Sequence, residues 1–197
     1  IQIAKNLNDS LMLGHAFSEA SEVFVSKKNY RQALDYLFNA TGIYKSLIEK
    51  HKGQPDEPVN YYGVSATRLL KVNYQVGRVY KLMGKLDSAL SYSLSAVEGT
   101  HDSRTNNYDV ASYYINAGDV YRRMGDYPRA VELLKAGLSL SIEILHKENE
   151  RDAYDYLAQI YQQQKKYDSA FIFYSKYTAL KDSIVNNETK SKIAEIQ

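Results

Sequence analysis

The sequence holds few residues that could do chemistry, and histidine is the first type to consider. Histidine binds metals and moves protons near neutral pH when two or more stand at suitable spacing. The four histidines are spread one per region, at His15, His51, His101 and His146. They form no metal-spaced pair, and the motif HExxH is missing. The histidines therefore predict no metal site and no catalytic centre.

Other reactive residue types give the same answer. Because this chain contains no cysteine, disulfides, iron–sulfur clusters, cysteine–zinc sites and thiol catalysis are excluded for it. A phosphate-binding glycine loop is missing, since Gly77 and Gly84 lie at helix-packing and turn positions. The carboxylates Glu148, Glu150 and Asp152 cluster at a predicted helix start, where they interact favourably with the helix dipole. We therefore expect no enzyme activity and no cofactor.

The composition is that of a soluble folded protein. Of 197 residues, 44% are hydrophobic and 24% are charged, and the net charge is +2. No basic stripe suits phosphate neutralisation, so we expect no nucleic acid partner. No apolar run approaches the roughly 20 residues that cross a bilayer, and no leader is present. Since the chain begins at Ile1 rather than Met, a leader or an earlier domain could have been removed.

Apolar residues recur at steps of three and four, which predicts amphipathic helices and an all-α fold. Three segments align without gaps, and they are NYQVGRVYKLMGKLDSALSYSLSAV, YYINAGDVYRRMGDYPRAVELLKAG and YDYLAQIYQQQKKYDSAFIFYSKYT. Each has a small residue, then a tyrosine, then an alanine at the same spacing. These residues are Gly77, Tyr80 and Ala89; Gly118, Tyr121 and Ala130; and Ala158, Tyr161 and Ala170. A weaker first copy has Ser21, Phe24 and Ala33 at these positions.

The spacing suits pairs of packed helices. A small residue on one helix lets a bulky residue of the other approach closely. Between the helices, Gly84 and Gly125 suit a helix C-terminus in left-handed geometry. Asp87, Pro128 and Asp168 suit the first turn of the following helix. Local chemistry and periodicity therefore predict the same helix pairs.

The pattern resembles the tetratricopeptide repeat. The resemblance covers about residues 14–180, and the third copy carries it at Tyr114, Ala117, Gly118, Tyr121, Gly125, Tyr127, Ala130 and Leu134. It implies an all-α, right-handed superhelical stack of antiparallel helix pairs, a TPR-like α-solenoid in one domain, 1–197. Its repeats are expected at about residues 14–50, 60–98, 108–146 and 150–183. Since the copies are farther apart than the roughly 34 residues of the standard repeat, we expect second helices of about five turns and a lengthened first helix from about Asn60.

The resemblance also implies a binding face, because the first helices of such pairs line the concave side of the stack. It places there Lys71, Tyr74, Gln75, Arg78 and Lys81 of the second copy, Ile115, Asn116, Asp119, Arg122 and Arg123 of the third, and Asp155, Gln159, Gln162 and Gln163 of the fourth. Arginine and lysine bind carboxylates, and amide side chains pair with a peptide backbone. The expected ligand is therefore a peptide with acidic side chains or a free carboxylate. Taken singly, each residue also fits an ordinary solvated helix face.

The last residues, YTALKDSIVNNETKSKIAEIQ, predict a helix break at VNNET. A new helix over residues 186–197 would then cap the stack or link it to a further segment. This stretch resembles the end of the repeat region in bacterial membrane-bound regulators with a histidine-kinase or DNA-binding output. The resemblance implies an extracytoplasmic location and membrane attachment only through flanking segments.

We therefore expect a non-catalytic scaffold that binds a protein or peptide, as the sensory or interaction region of a larger bacterial signalling protein. This interpretation is compatible with a homodimer. The alternative is a free-standing cytoplasmic adaptor or assembly protein. A downstream apolar span with an output domain would favour the first, and an early stop codon the second.

Overall fold

Helices make up all the regular structure in the described part of the chain. The computed structural model describes residues 10–53, 61–101 and 107–196. The α-helices are α1 (Ser10–Ser26), α2 (Tyr30–Lys50), α3 (Tyr61–Leu82), α4 (Leu86–Glu98), α5 (Asn107–Met124), α6 (Tyr127–Glu143), α7 (Lys147–Gln163) and α8 (Tyr167–Ile196). A short 3-10 helix, Gly99–His101, follows α4. The predicted all-α fold is confirmed.

The helices are arranged in two compact units, Ile1–Thr105 and Asn106–Gln197. In the first unit, α1 packs on α2 and α3 packs on α4, while α3 also contacts both α1 and α2. In the second unit, α5 packs on α6 and α7 packs on α8, while α7 also contacts both α5 and α6. The predicted tandem helix pairs are therefore confirmed, and within each unit the first helix of the second pair contacts both helices of the first pair. The single domain over residues 1–197 stays a prediction.

Each pair is closed by a tight turn with one residue in left-handed backbone geometry. Gly84 has φ 73° and Gly125 has φ 84°, as their positions predicted. The equivalent residues of the first and last pairs, Lys28 and Lys165, have φ 58° and 57°. Since lysine pays a steric penalty there that glycine avoids, the surrounding hydrogen bonds must hold this geometry. One of them runs from the Lys166 N–H to the Tyr161 carbonyl at 2.9 Å.

Helix starts carry the residues expected of them. Asp87, Pro128 and Asp168 lie in the first turns of α4, α6 and α8, respectively. The Asp126 side chain caps α6 by accepting a hydrogen bond from the Arg129 N–H. These contacts confirm the predicted turn chemistry.

Helix lengths agree with the sequence only in part. The first helix of the second pair, α3, spans 22 residues and is lengthened as predicted. Among the second helices, α6 has 17 residues, near the expected five turns, but α2 has 21 and α4 has 13. Helix α4 ends at Glu98, and the chain then changes to 3-10 geometry at Gly99, where a Cβ would clash with the Leu70 side chain.

The predicted break near the C-terminal end is wrong. Helix α8 runs without interruption from Tyr167 to Ile196, over 30 residues. An asparagine inside a helix costs less than about 0.7 kcal/mol relative to alanine, so Asn186 and Asn187 are not enough to end it. Thr189 fits the continuous helix, since its Oγ1 donates to the Val185 carbonyl at 2.8 Å. A capping or linking role for the last residues stays a prediction.

The packing confirms the role of small residues at the helix crossings. A Cβ on Gly118 of α5 would lie 2.7 Å from Leu134 Cγ of α6, which is closer than two carbons can approach. Leu134 is fully buried, as is Leu37 at the same repeat position in the first unit. The close contact between α5 and α6 therefore depends on the absence of a side chain at Gly118. In the described part of the chain, no helix is both long and apolar enough to span a membrane.

Candidate binding surfaces

The first unit brings predicted site residues beside two carboxylates, and we call this surface the α1–α3 face (Glu19, Glu22, Lys71, Tyr74 and Arg78). Lys71 Nζ lies 3.7 Å from Glu19 Oε1, and Arg78 Nη1 lies 3.2 Å from Glu22 Oε1. The four side chains are 36% to 54% exposed. Ion pairs this exposed stabilise a fold by no more than about 1 kcal/mol. They place one carboxylate beside each of the two cationic groups.

Tyr74 of this face contacts Arg78, and Lys81 of the same helix is also accessible. The guanidinium carbon of Arg78 lies 5.6 Å from the centroid of the Tyr74 ring, within range of a cation–π interaction. Both Tyr74 and Lys81 are half-buried. Four of the five site residues predicted in the second copy therefore stay accessible to a ligand.

Gln75 is the fifth, and its predicted outward position is wrong. Its side chain is only 4% exposed. The Gln75 amide donates to Glu22 Oε1 at 3.1 Å and its carbonyl oxygen accepts from Ser18 Oγ at 2.7 Å. Because α1 lies directly over this position, Gln75 joins α1 to α3 and is not part of the ligand-accessible surface.

His15 lies at the edge of the α1–α3 face in an environment that disfavours its charged form. Burial lowers the pKa of His15 below its usual 6.5, and Arg68 and Lys71 lower it further, while Glu19 acts in the opposite direction. Although His15 Nδ1 lies 3.7 Å from Glu19 Oε1, the imidazole is therefore neutral at pH 7. The face keeps its excess of Lys and Arg charge without a contribution from histidine.

The lowered pKa of His15 predicts a pH dependence of stability. Below pH 6.5 the unfolded chain binds a proton that folded His15 resists, so the free energy of unfolding falls as the pH is lowered. We expect His15→Gln to reduce the loss of stability between pH 7.5 and 5.5 in urea titrations. Equal losses for the variant and the parent would contradict the prediction.

In the second unit, the predicted residues of α5 surround a buried carboxylate. Arg122 donates to Asp119 Oδ1 through Nη2 at 2.6 Å and through Nε at 2.9 Å, and Arg123 donates to Asp119 Oδ2 through Nε at 3.2 Å. Asp119 is fully buried, and Asn116 and Ile115 are 5% exposed. The predicted outward positions of these three residues are therefore wrong. They lie on the side of α5 that the fold covers.

Arg122 also reaches α7. Its Nη1 donates to Gln159 Oε1 at 2.8 Å, and its guanidinium carbon lies 5.1 Å from the centroid of the Tyr156 ring. Burial, followed by the charges of Asp119 and Asp152, raises the pKa of Tyr156 far above its usual value, so the phenol stays neutral. We call Asp119, Arg122, Arg123, Tyr156 and Gln159 the Arg122 cluster. Only Arg123 of this cluster is exposed.

A third surface is the α7–α8 groove, with a volume of about 450 Å³. Its lining residues are Asp155, Ala158, Gln159, Gln162, Tyr167, Ala170, Phe171 and Tyr174. Asp155, Gln159 and Gln162 were predicted as site residues, and the structure brings them together with aromatic residues of α8 that were not. Gln163 is exposed but does not line the groove. Within the described residues, no group of three His, Cys, Asp or Glu side chains could hold a metal.

A family model gives the relationship of the chain to known proteins. The model of the tetratricopeptide repeat matches residues 68–143 and 109–183, which together span more than half of the chain. The chain belongs to the tetratricopeptide repeat family. No curated protein sequence is significantly similar to it.

Solved structures of other tetratricopeptide repeat-like proteins share the fold. RapI, solved in its apo form, has a TM-score of 0.73 and 18% identity over 91% of this chain and 45% of its own. Aspartyl phosphate phosphatase F from Bacillus subtilis has a TM-score of 0.72 and 20% identity over 89% of this chain and 42% of its own. The Rap conjugation gene regulator of plasmid pLS20, solved with a Phr peptide, has a TM-score of 0.66 and 16% identity over 89% and 44%. The chain thus spans less than half of each protein, and identities this low concern the fold alone.

Sequence reasoning about this tetratricopeptide repeat chain missed the carboxylates Glu19 and Glu22. Both lie in the weakest copy, where no site residues were sought. The alignment of the copies contained a signal, because Glu22 occupies the same repeat position as Asp119. That position places an acid beside the arginines in both units.

Proposed function

We propose that the chain is a non-catalytic scaffold that binds an acidic protein segment or peptide on its α1–α3 face. The observation that carries this proposal is the row of accessible side chains, Lys71, Tyr74 and Arg78, with Glu19 and Glu22 beside the two cations. Two cations and an aromatic ring on one accessible face can bind carboxylates and pack against apolar groups of a ligand. The face is therefore suited to recognition.

The charge of the face favours a carboxylate ligand. Lys71, Arg78 and the nearby Arg68 and Lys81 outnumber Glu19 and Glu22, and His15 is neutral. Among the described contacts, Arg78 donates one hydrogen bond, from Nη1. A guanidinium has five N–H donors and binds carboxylates through two parallel bonds. A side-chain carboxylate or a free C-terminus therefore finds donors beside the Tyr74 ring.

The Arg122 cluster has a smaller part in this proposal than the sequence indicates. Arg122 already donates to Asp119 and Gln159, and its side chain is 19% exposed. Arg123 is the accessible cation there, at 43% exposed, and it also bonds Asp119. An acidic ligand gains less from cations whose charge is matched by a buried carboxylate. One further fact supports a peptide ligand in general, since the plasmid pLS20 regulator of the same fold was solved with a peptide bound.

Selection from a random peptide library displayed with free C-termini tests the proposal. We expect the enriched peptides to be acidic, and we expect Lys71→Gln with Arg78→Gln to weaken their binding by at least about tenfold, or 1.4 kcal/mol. The matched control is Lys45→Gln with Lys135→Gln, which removes the same charge from exposed positions of second helices. Peptides without acidic bias, or equal losses for both double variants, would refute the proposed face.

The proposed setting is the sensory or interaction region of a larger bacterial signalling protein outside the cytoplasm. In that setting, ligand binding to the repeats would change the activity of a histidine-kinase or DNA-binding output domain. The complete reading frame tests it: a membrane span followed by such an output supports the sensor, whereas a stop codon directly after residue 197 supports an adaptor. Sedimentation velocity of the chain tests the accompanying proposal of a homodimer.

A further inference from the structure

The α7–α8 groove is the counterpart of two grooves that are filled within this chain. Helix α3 packs against both α1 and α2, and helix α7 packs against both α5 and α6. In the repeat alignment, α7 and α8 correspond to α1 and α2 and to α5 and α6. The surface that they form is therefore built to receive a helix.

Side chains of this groove are far more exposed than their equivalents in the filled groove of the first unit, among the residues that the structure describes. Leu37 on α2 is fully buried in one apolar cluster with Val72 and Val76 of α3, so the incoming helix covers it. Tyr174, at the same repeat position on α8, is 55% exposed. Phe171 is 71% exposed, whereas its equivalent Leu34 is 7% exposed. Large aromatic side chains this exposed on adjoining turns are typical of an interaction site.

The charge of the groove indicates what kind of helix it takes. Asp155 is its only charged lining residue, and no cation of the described residues lies within ion-pair distance of it. Helix α3 shows how such positions are matched in a filled groove. There Ser18 of α1, the equivalent of Asp155, donates a hydrogen bond to the Gln75 side chain of α3. One turn further along α1, Glu22 accepts a hydrogen bond from Arg78 of α3. The helix that suits Asp155 therefore carries a basic side chain beside its apolar stripe.

We propose that the α7–α8 groove docks a basic amphipathic helix of a partner protein. Its apolar side packs on Phe171 and Tyr174, and an arginine or lysine faces Asp155. This site differs from the α1–α3 face in its elements and prefers the opposite charge. The chain would thus have one binding surface in each unit, one for an acidic segment and one for a basic helix.

Disulfide capture tests the groove, because the chain has no cysteine of its own. Gln162→Cys places a thiol at the groove lining, and Gln163→Cys places one on the exposed neighbouring residue outside it. Two peptides with an added C-terminal cysteine serve as probes in a thiol–disulfide buffer. One is residues 61–82, which fills the equivalent groove and has four basic and no acidic residues; the other is residues 147–163, which is acidic. Both segments are helices of this fold, and they differ in side-chain charge, +4 against −2, and in length, 22 against 17 residues.

We expect Gln162→Cys to capture the basic peptide about fivefold more than the acidic one, as one ion pair would give. Adding Phe171→Ser should lower this capture, while Ile172→Ser, equally apolar and 54% exposed but outside the lining, should not. Adding Asp155→Asn should reduce the preference for the basic peptide. Lys71→Gln with Arg78→Gln should leave capture unchanged, which separates this site from the α1–α3 face.

Three results would overturn the proposal. Equal capture at residues 162 and 163 would mean that the groove holds no helix. Equal capture of the two peptides would remove the role of Asp155. Preferential disulfide formation between two copies of the Gln162→Cys chain, lost on adding Phe171→Ser, would assign the groove to a second copy instead of a basic partner.

Discussion

Gly118→Leu is expected to lower the free energy of unfolding by about 3 kcal/mol, near the upper end of the range for overpacked cores. A Cβ at this position would lie 2.7 Å from Leu134 Cγ and 3.2 Å from the Leu134 backbone nitrogen. The side chain of Leu134 could turn away, but its backbone cannot move unless α6 shifts relative to α5. A larger residue therefore separates the two helices at their point of closest approach.

A glycine without neighbours provides the control for this prediction. Gly42 lies within α2, and a Cβ there would meet nothing within 4 Å. Gly42→Ala should stabilise the protein by about 0.5–1 kcal/mol, because alanine favours a helix interior over glycine. Urea unfolding of both variants gives the comparison. If Gly118→Leu unfolded at the same urea concentration as the parent, the assigned helix crossing would be wrong.

Local chemistry was the most predictable part of this fold. Gly84 and Gly125 could be assigned to left-handed turn positions because few other residues adopt that geometry without cost. Lys28 and Lys165 adopt it too, which residue type alone does not indicate. Their positions became evident only through alignment of the copies. Repeated patterns therefore carried more information than single residues.

Burial of the predicted site residues was harder to foresee. Periodicity places Gln75 and Asn116 on a polar side of their helices, but it does not say whether another helix lies over that side. In the structure both are covered, and Gln75 exchanges hydrogen bonds with α1. A buried amide is stable when it is hydrogen-bonded. Polar residues in a repeat thus include both ligand contacts and bridges between helices.

The long helix α8 shows a limit of capping rules. Asn186 and Asn187 are good N-cap residues, and on that basis the sequence predicts a new helix that starts at one of them. Capping residues favour a helix start where the chain already leaves helical geometry, but they do not force it to leave. No proline or glycine lies between Tyr167 and Ile196, so nothing strong enough to end the helix is present.

Asp119→Ala is expected to lower the free energy of unfolding by about 3 kcal/mol, the lower end of the range for breaking a buried ion pair. The carboxylate is fully buried and accepts hydrogen bonds from both Arg122 and Arg123. Its loss leaves the Arg122 guanidinium, 19% exposed, without its counterion. The partial exposure of both arginines to water keeps the cost from being larger. Arg123→Gln should cost far less, since that side chain is 43% exposed.

A double variant distinguishes a lost counterion from a lost side-chain volume. Arg122→Met in the Asp119→Ala background removes the uncompensated charge and leaves an apolar chain of similar length. We expect this double variant to recover part of the lost stability. Replacing both members of a buried ion pair by apolar residues lowers the free energy of unfolding less than removing one member and leaving the other charge unpaired. Urea unfolding of the parent, Asp119→Ala, Arg122→Met and the double variant gives the coupling energy between the two residues. Additive losses would show that Asp119 acts through packing alone and not as the counterion of Arg122.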